Sequence, residues 1–118
     1  METTVVFYPV TFKKEINPME KKRIPITIYT EMGLGPGTLN FVCNKYVVEK
    51  PFLLNYTEDT TGYPLARELF KFEYVKRVSA EKNVISITKG GSAEWYEISG
   101  ELREFIRNYL MQDKPVRK

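Results

Sequence analysis

Hydrophobic positions along this chain follow a strand-like spacing in some stretches and a helical one in others. Residues 24–30 alternate β-branched and polar side chains, the mark of a half-buried strand, and Pro25 near its start suits a sheet edge. Residues 38–48 predict a second strand with Leu39, Phe41 and Cys43 on one face, and residues 52–56 a short third one. A turn cluster, 57–62, precedes Pro64, whose missing N–H costs nothing at the first position of a helix. Leu65, Ala66, Leu69 and Phe70 then form an apolar stripe at helical spacing. Residues 74–79 and 83–89 read as a hairpin turning at 80–82, with Ile85 and Ile87 inward, and Gly90-Gly91 breaks it. The last helix is predicted from Ser99, a good N-cap, to Met111, burying Leu102, Phe105, Ile106, Tyr109 and Leu110. Residues 93–98 predict a preceding helical turn carrying Trp95, which is expected to be buried between the two helices. Residues 114–118 are expected to fray.

Strands in runs, with one helix between them and one after, predict an α+β fold. Its expected form is two layers, an antiparallel-rich sheet with both helices packed on one face. The expected organisation is an extension over 1–23, a domain over 24–112 and a basic tail over 113–118. Residues 1–18 are expected to be dispensable, the alternative being that Val5-Val6-Phe7-Tyr8 adds an edge strand.

Composition narrows the chemistry. The 118 residues suffice for one small domain with a single core. There is no His, which removes Ser-His-Asp and Cys-His nucleophile systems and His-based zinc sites. One Cys excludes an internal disulfide and any multi-thiolate metal site within one chain. The net charge of +3 comes from the two ends, while 24–112 sums to −1, so nucleic acid is an unlikely partner. The longest charge-free stretch, 32–44, is too short to cross a membrane. Without a basic n-region or an Arg-rich leader, and with a lone Cys, the expected location is the cytoplasm.

Few residues invite a chemical role. Gly33-Leu34-Gly35-Pro36-Gly37-Thr38 resembles a phosphate loop only superficially, because β-branched and aromatic residues follow it in place of a helix. It reads as a turn between two strands, or as a loop presented to a partner. Cys43 is a metal or redox thiol or a small buried hydrophobe, and its apolar neighbours favour the second. Glu58 and Asp59, adjacent in a turn, read as solvated rather than as an acid–base pair. Phe70, Phe72, Tyr74, Trp95, Tyr96, Phe105 and Tyr109 read as core rather than as a base-stacking platform.

Three stretches together resemble the N-terminal domain of NifU-like (Nfu-type) iron–sulfur scaffold proteins. They are Ile28-Tyr29-Thr30-Glu31-Met32 with the glycine corner and Thr38-Leu39-Asn40-Phe41-Val42; Pro64-Leu65-Ala66-Arg67-Glu68-Leu69-Phe70; and Val75-Lys76-Arg77-Val78 with Val84-Ile85-Ser86-Ile87-Thr88-Lys89 and Trp95. The corner departs from the family's Thr-Pro-Asn-Pro-Asn, and the Cys-x-x-Cys of the family's second domain is absent from this sequence. The resemblance implies a non-catalytic accessory or interaction module in iron–sulfur cluster assembly or delivery. It implies no catalytic residues, no directly bound cofactor or metal, and a cluster reached only through a partner. That partner would be an assembly protein or a Cys-x-x-Cys NifU-type protein. The expected contact residues are Glu31, Met32, Gly33, Leu34, Gly35, Pro36, Gly37 and Thr38, with Leu34 as anchor. The rival reading is a small α+β nucleic-acid-binding domain; an enzyme would need a carboxylate or Lys pocket that the sequence does not reveal.

Overall fold

A computed structural model describes residues 25–118; the expectations for 1–23 and for Ile24 lie outside the described residues. Five strands, β1 (Ile28–Met32), β2 (Thr38–Cys43), β3 (Phe52–Asn55), β4 (Val75–Glu81) and β5 (Val84–Lys89), form one sheet. Its order is β1-β2-β5-β4-β3 with every neighbouring pair antiparallel. Helix α1 (Pro64–Leu69) joins β3 to β4, and α2 (Trp95–Met111) follows β5.

Register decides which side chains meet. Leu39 stands opposite Ile87 and Phe41 opposite Ile85; across the next pair, Ile87 meets Val78 and Ile85 meets Ala80. These buried residues share one face, and they form one core with Leu65, Ala66 and Leu69 of α1 and Leu102, Ile106, Tyr109 and Leu110 of α2. Both helices therefore cover the same face, giving the expected α+β architecture. Each fully buried Leu, Ile or Phe contributes about 1.5–3 kcal/mol of hydrophobic stabilisation before entropy is set against it. The opposite face carries short polar side chains that bond across strands: Thr38 to Thr88 at 2.9 Å, and the Ser86 hydroxyl to Asn40 Oδ1 at 2.6 Å.

Several boundaries differ from expectation, each for a local reason. β1 starts at Ile28 because the Asn44 side chain holds the segment before it, accepting from Thr27 N at 3.1 Å and donating to Pro25 O at 2.8 Å. The same residue turns the chain after Cys43, so Val47 and Val48 leave the strand although Val48 still reaches the core. The hairpin turns at Lys82 and Asn83, with Lys82 at φ +56°, and Ala80 and Glu81 remain in β4. Helix α2 begins four residues before Ser99. Glu94 and Glu97 form a reciprocal capping box there, each carboxylate accepting from the other's backbone N–H.

Trp95 does not sit buried between the helices. It is half-buried, edge-on to Phe41 of β2 with ring centroids 6.4 Å apart, and the Lys89 ammonium lies 6.0 Å from its ring centre. Nor does the tail fray. Val116 is only 4% exposed and belongs to the core. Around it Tyr109 donates its hydroxyl to Pro115 O at 2.8 Å, Arg117 donates to Pro51 O at 2.9 Å, and Lys118 N donates to Gly62 O at 2.8 Å. The buried Val116 side chain and these three hydrogen bonds together dock the basic tail.

Candidate partner-contact surface

The corner between β1 and β2 is built on a tied base. Met32 and Leu39 are the last residues in register, and Gly33 N donates to Thr38 O at 3.0 Å. Lys89 N donates to Gly37 O at 2.8 Å, fastening the corner to β5 as well. The glycines have distinct reasons. A Cβ on Gly33 would lie 2.6 Å from the Thr38 methyl, while Gly35 and Gly37 adopt φ +85° and +80°, where other residues are strained.

This base holds apolar side chains in water. Leu34 is 97% exposed. Met32 points to the core side of its strand, yet it is 69% exposed because it stands at the sheet's outer edge. Glu31, Gly35 and Pro36 are exposed too, whereas Gly33, Gly37 and Thr38 are half-buried in the base. The eight expected contact residues thus split into a presented set and a supporting set. An isolated exposed apolar residue is ordinary, but two within three residues on a braced loop suit a contact surface.

The other candidates resolve into structural roles. Cys43 is buried, with Asn83 donating from its side chain to the Cys43 carbonyl at 3.0 Å. Burial pushes its thiol up to about 11, with nearby Lys45 opposing, so it is protonated at neutral pH and packs as a small hydrophobe. Glu58 accepts from Asn55 N at 2.6 Å, and Asp59 accepts from both the backbone and the hydroxyl of Thr61. Those bonds hold Asp59 below the usual carboxylate range; the two acids each brace their own turn and do not form a pair. Among the described residues no group of three or more His, Cys, Asp and Glu is placed to hold a metal, and no helix is long and apolar enough to cross a membrane.

Most of the aromatics pack inward, as in the edge-on pair Phe72 and Phe105 at 5.4 Å. Tyr96 departs from expectation, standing exposed on the first turn of α2. Sequence reading also missed the bond from the Tyr74 hydroxyl to Glu101 at 2.9 Å; burial, and after it this bond, raises the phenol's pKa. Nothing in the local pattern signals a contact between residues so far apart in the chain.

Residues 28–113 match the family described as Scaffold protein Nfu/NifU N terminal. The chain belongs to this family. As an Nfu N-terminal domain it is 27% identical, over 117 residues, to the mitochondrial NFU1 iron-sulfur cluster scaffold homolog of Drosophila ananassae. That alignment takes in 92% of this chain and 41% of the relative, so the chain spans about two-fifths of the relative's length. A shorter stretch of 63 residues is 38% identical to the probable mitochondrial arginine–tRNA ligase of Mus musculus, covering 53% of this chain and 11% of the ligase. Among solved structures, the solution NMR structure of a NifU-like protein from Saccharomyces cerevisiae has the same fold. It superposes with a TM-score of 0.69 at 17% identity, over 90% of this chain and 92% of that one.

These relatives correct the expected location. The cytoplasmic reading is overturned by curated relatives that are mitochondrial. A single Cys does not distinguish one reducing compartment from another, and the lack of a basic n-region or an Arg-rich leader in this sequence carries no information about compartment either.

Proposed function

We propose that this domain is a non-catalytic contact module in iron–sulfur cluster assembly or delivery, meeting its partner through the corner between β1 and β2. The observation that carries this reading is Leu34, almost wholly exposed on a loop whose base is tied to β2 and β5. Leaving a Leu in water forgoes roughly 1.5–3 kcal/mol that burial against a partner would recover. Met32 widens the apolar contact and Glu31 adds a charge at its rim, the arrangement of an anchored interface. Family membership and the relative's cluster-scaffold name support placing that contact in cluster assembly.

In this reading the domain holds no cluster of its own. A cluster takes about four Cys-type ligands, and the chain has one thiol, buried and protonated. The cluster is cargo on the partner, an assembly protein or a Cys-x-x-Cys NifU-type protein.

Immobilised wild-type chain and two variants, exposed to host extract and analysed by mass spectrometry, test this. Iron–sulfur assembly proteins are expected to be captured by wild type and by Tyr46→Asp, which alters an exposed ring beyond the far end of β2. Leu34→Asp is expected to lose them. Equal capture by all three would reduce the corner to a turn, and recovery of RNA or DNA in their place would favour the nucleic-acid reading.

A further inference from the structure

The basic tail, once docked, makes a second feature far from the corner. Over its 17 residues α2 is about 25 Å long at 1.5 Å rise per residue. Its first turn lies near Phe41 and Lys89, whereas Arg107 near its other end donates to Ile26 O at 2.9 Å, beside the start of β1 and away from the corner. There α1, the end of α2 and the returning tail enclose a cleft of about 440 Å³. That size falls within the roughly 300–1,000 Å³ of small-ligand sites.

The cleft is cationic. Arg67, Lys114 and Lys118 line it, and none of them has an ion-pair partner among the described residues. Its one acid, Glu68, is engaged by Lys71 at 3.0 Å. The C-terminal end of α2 adds about half a negative charge, too little to cancel Arg67 and Lys114, which carry the field whatever follows Lys118. Lys114 is steadied 5.5 Å from the centre of the Tyr109 ring. Asn108 and Gln112 supply amides beside the cations, and the Phe105 and Pro115 rings form apolar wall.

We infer that this cleft takes an acidic peptide segment of a partner protein, with carboxylates on Arg67 and Lys114 and main chain against Asn108 and Gln112. Amides and apolar rings beside the charges suit a peptide better than a polyphosphate backbone. A nucleic acid needs cations spread along a face, and here they converge on one short cleft while the domain as a whole is near neutral. The inference stands apart from the contact proposed at the corner and does not depend on it.

An NMR titration of the full chain tests it, with hexaglutamate peptide, inorganic phosphate and a short single-stranded oligonucleotide as separate probes at low salt. The peptide is expected to give saturable shifts at the Asn108 and Gln112 side-chain amides. Arg67→Gln/Lys114→Gln is expected to weaken binding about tenfold or more. Lys45→Gln/Lys76→Gln, with the same loss of net charge at two residues that do not line the cleft, is expected to leave it nearly unchanged. Equal weakening by both pairs, no saturation, phosphate matching the peptide, or the oligonucleotide exceeding it would each overturn the assignment.

Discussion

Replacing Trp95 by Phe should leave the domain about as stable as before, although it removes half of a large ring system. Trp95 Nε1 is buried with no acceptor among the described residues. A buried donor left unpaired costs about 1–3 kcal/mol, and Phe has no such donor. Against that gain stand the lost packing of the second ring, about 1 kcal/mol for a half-buried side chain, and a weaker edge contact with Phe41. The sum lies within about 1 kcal/mol of zero. Trp95→Ala gains the same relief but loses the whole ring, and should cost about 1–2 kcal/mol more than Trp95→Phe, below the roughly 3–5 kcal/mol of a fully buried aromatic. Because Trp95 is the only Trp, unfolding must be followed by far-ultraviolet circular dichroism in urea, not by fluorescence. If Phe costs more than about 2 kcal/mol, close to Ala, the N–H has a partner and the reasoning is wrong.

Three further outcomes are expected. Val116→Asp should lower the urea midpoint by about 2–3 kcal/mol of stability, because it removes a buried side chain and puts a charge in its place; an unchanged midpoint would mean the tail does not dock. Gly37→Ala should cost about 1–2 kcal/mol from its φ of +80°, and Gly33→Ala should destabilise by collision with Thr38, both measurable as lower melting temperatures. Cys43 should resist thiol reagents in the native state at neutral pH. Its folded pKa is raised from 9.0 to about 11, so its contribution to stability is complete below pH 9 and is lost as pH rises towards 11. Urea midpoints across that range should fall less in Cys43→Ala than in the parent.

Where sequence signals were local and redundant, the fold was legible. Pro64 and the apolar stripe behind it place α1 on its observed first residue, and alternation fixed the core face of β2 and β5. Boundaries failed where a side chain acts at a distance. Asn44 ends β2 by reaching back to residues 25 and 27, so the β-branched run Val47-Val48 looked like more strand. Ser99 suggested a helix start by type, but Glu94 and Glu97 cap α2 earlier by a reciprocal bond that needs no Ser or Thr. The tail hid its one buried residue among three cations. At the corner, the exposure of Leu34 followed from its glycine neighbours. The tie between Gly37 and Lys89 joins residues fifty-two apart and had no sequence trace.

The central claim is that Leu34 anchors a partner in iron–sulfur assembly. Calorimetric titration of this chain against a Cys-x-x-Cys NifU-type protein of the same organism measures that directly. Saturable binding is predicted, weakened roughly thirtyfold by Leu34→Asp, the cost of losing an anchor worth about 2 kcal/mol, and unaffected by Tyr46→Asp. Equal affinities for the parent and both variants would contradict the account.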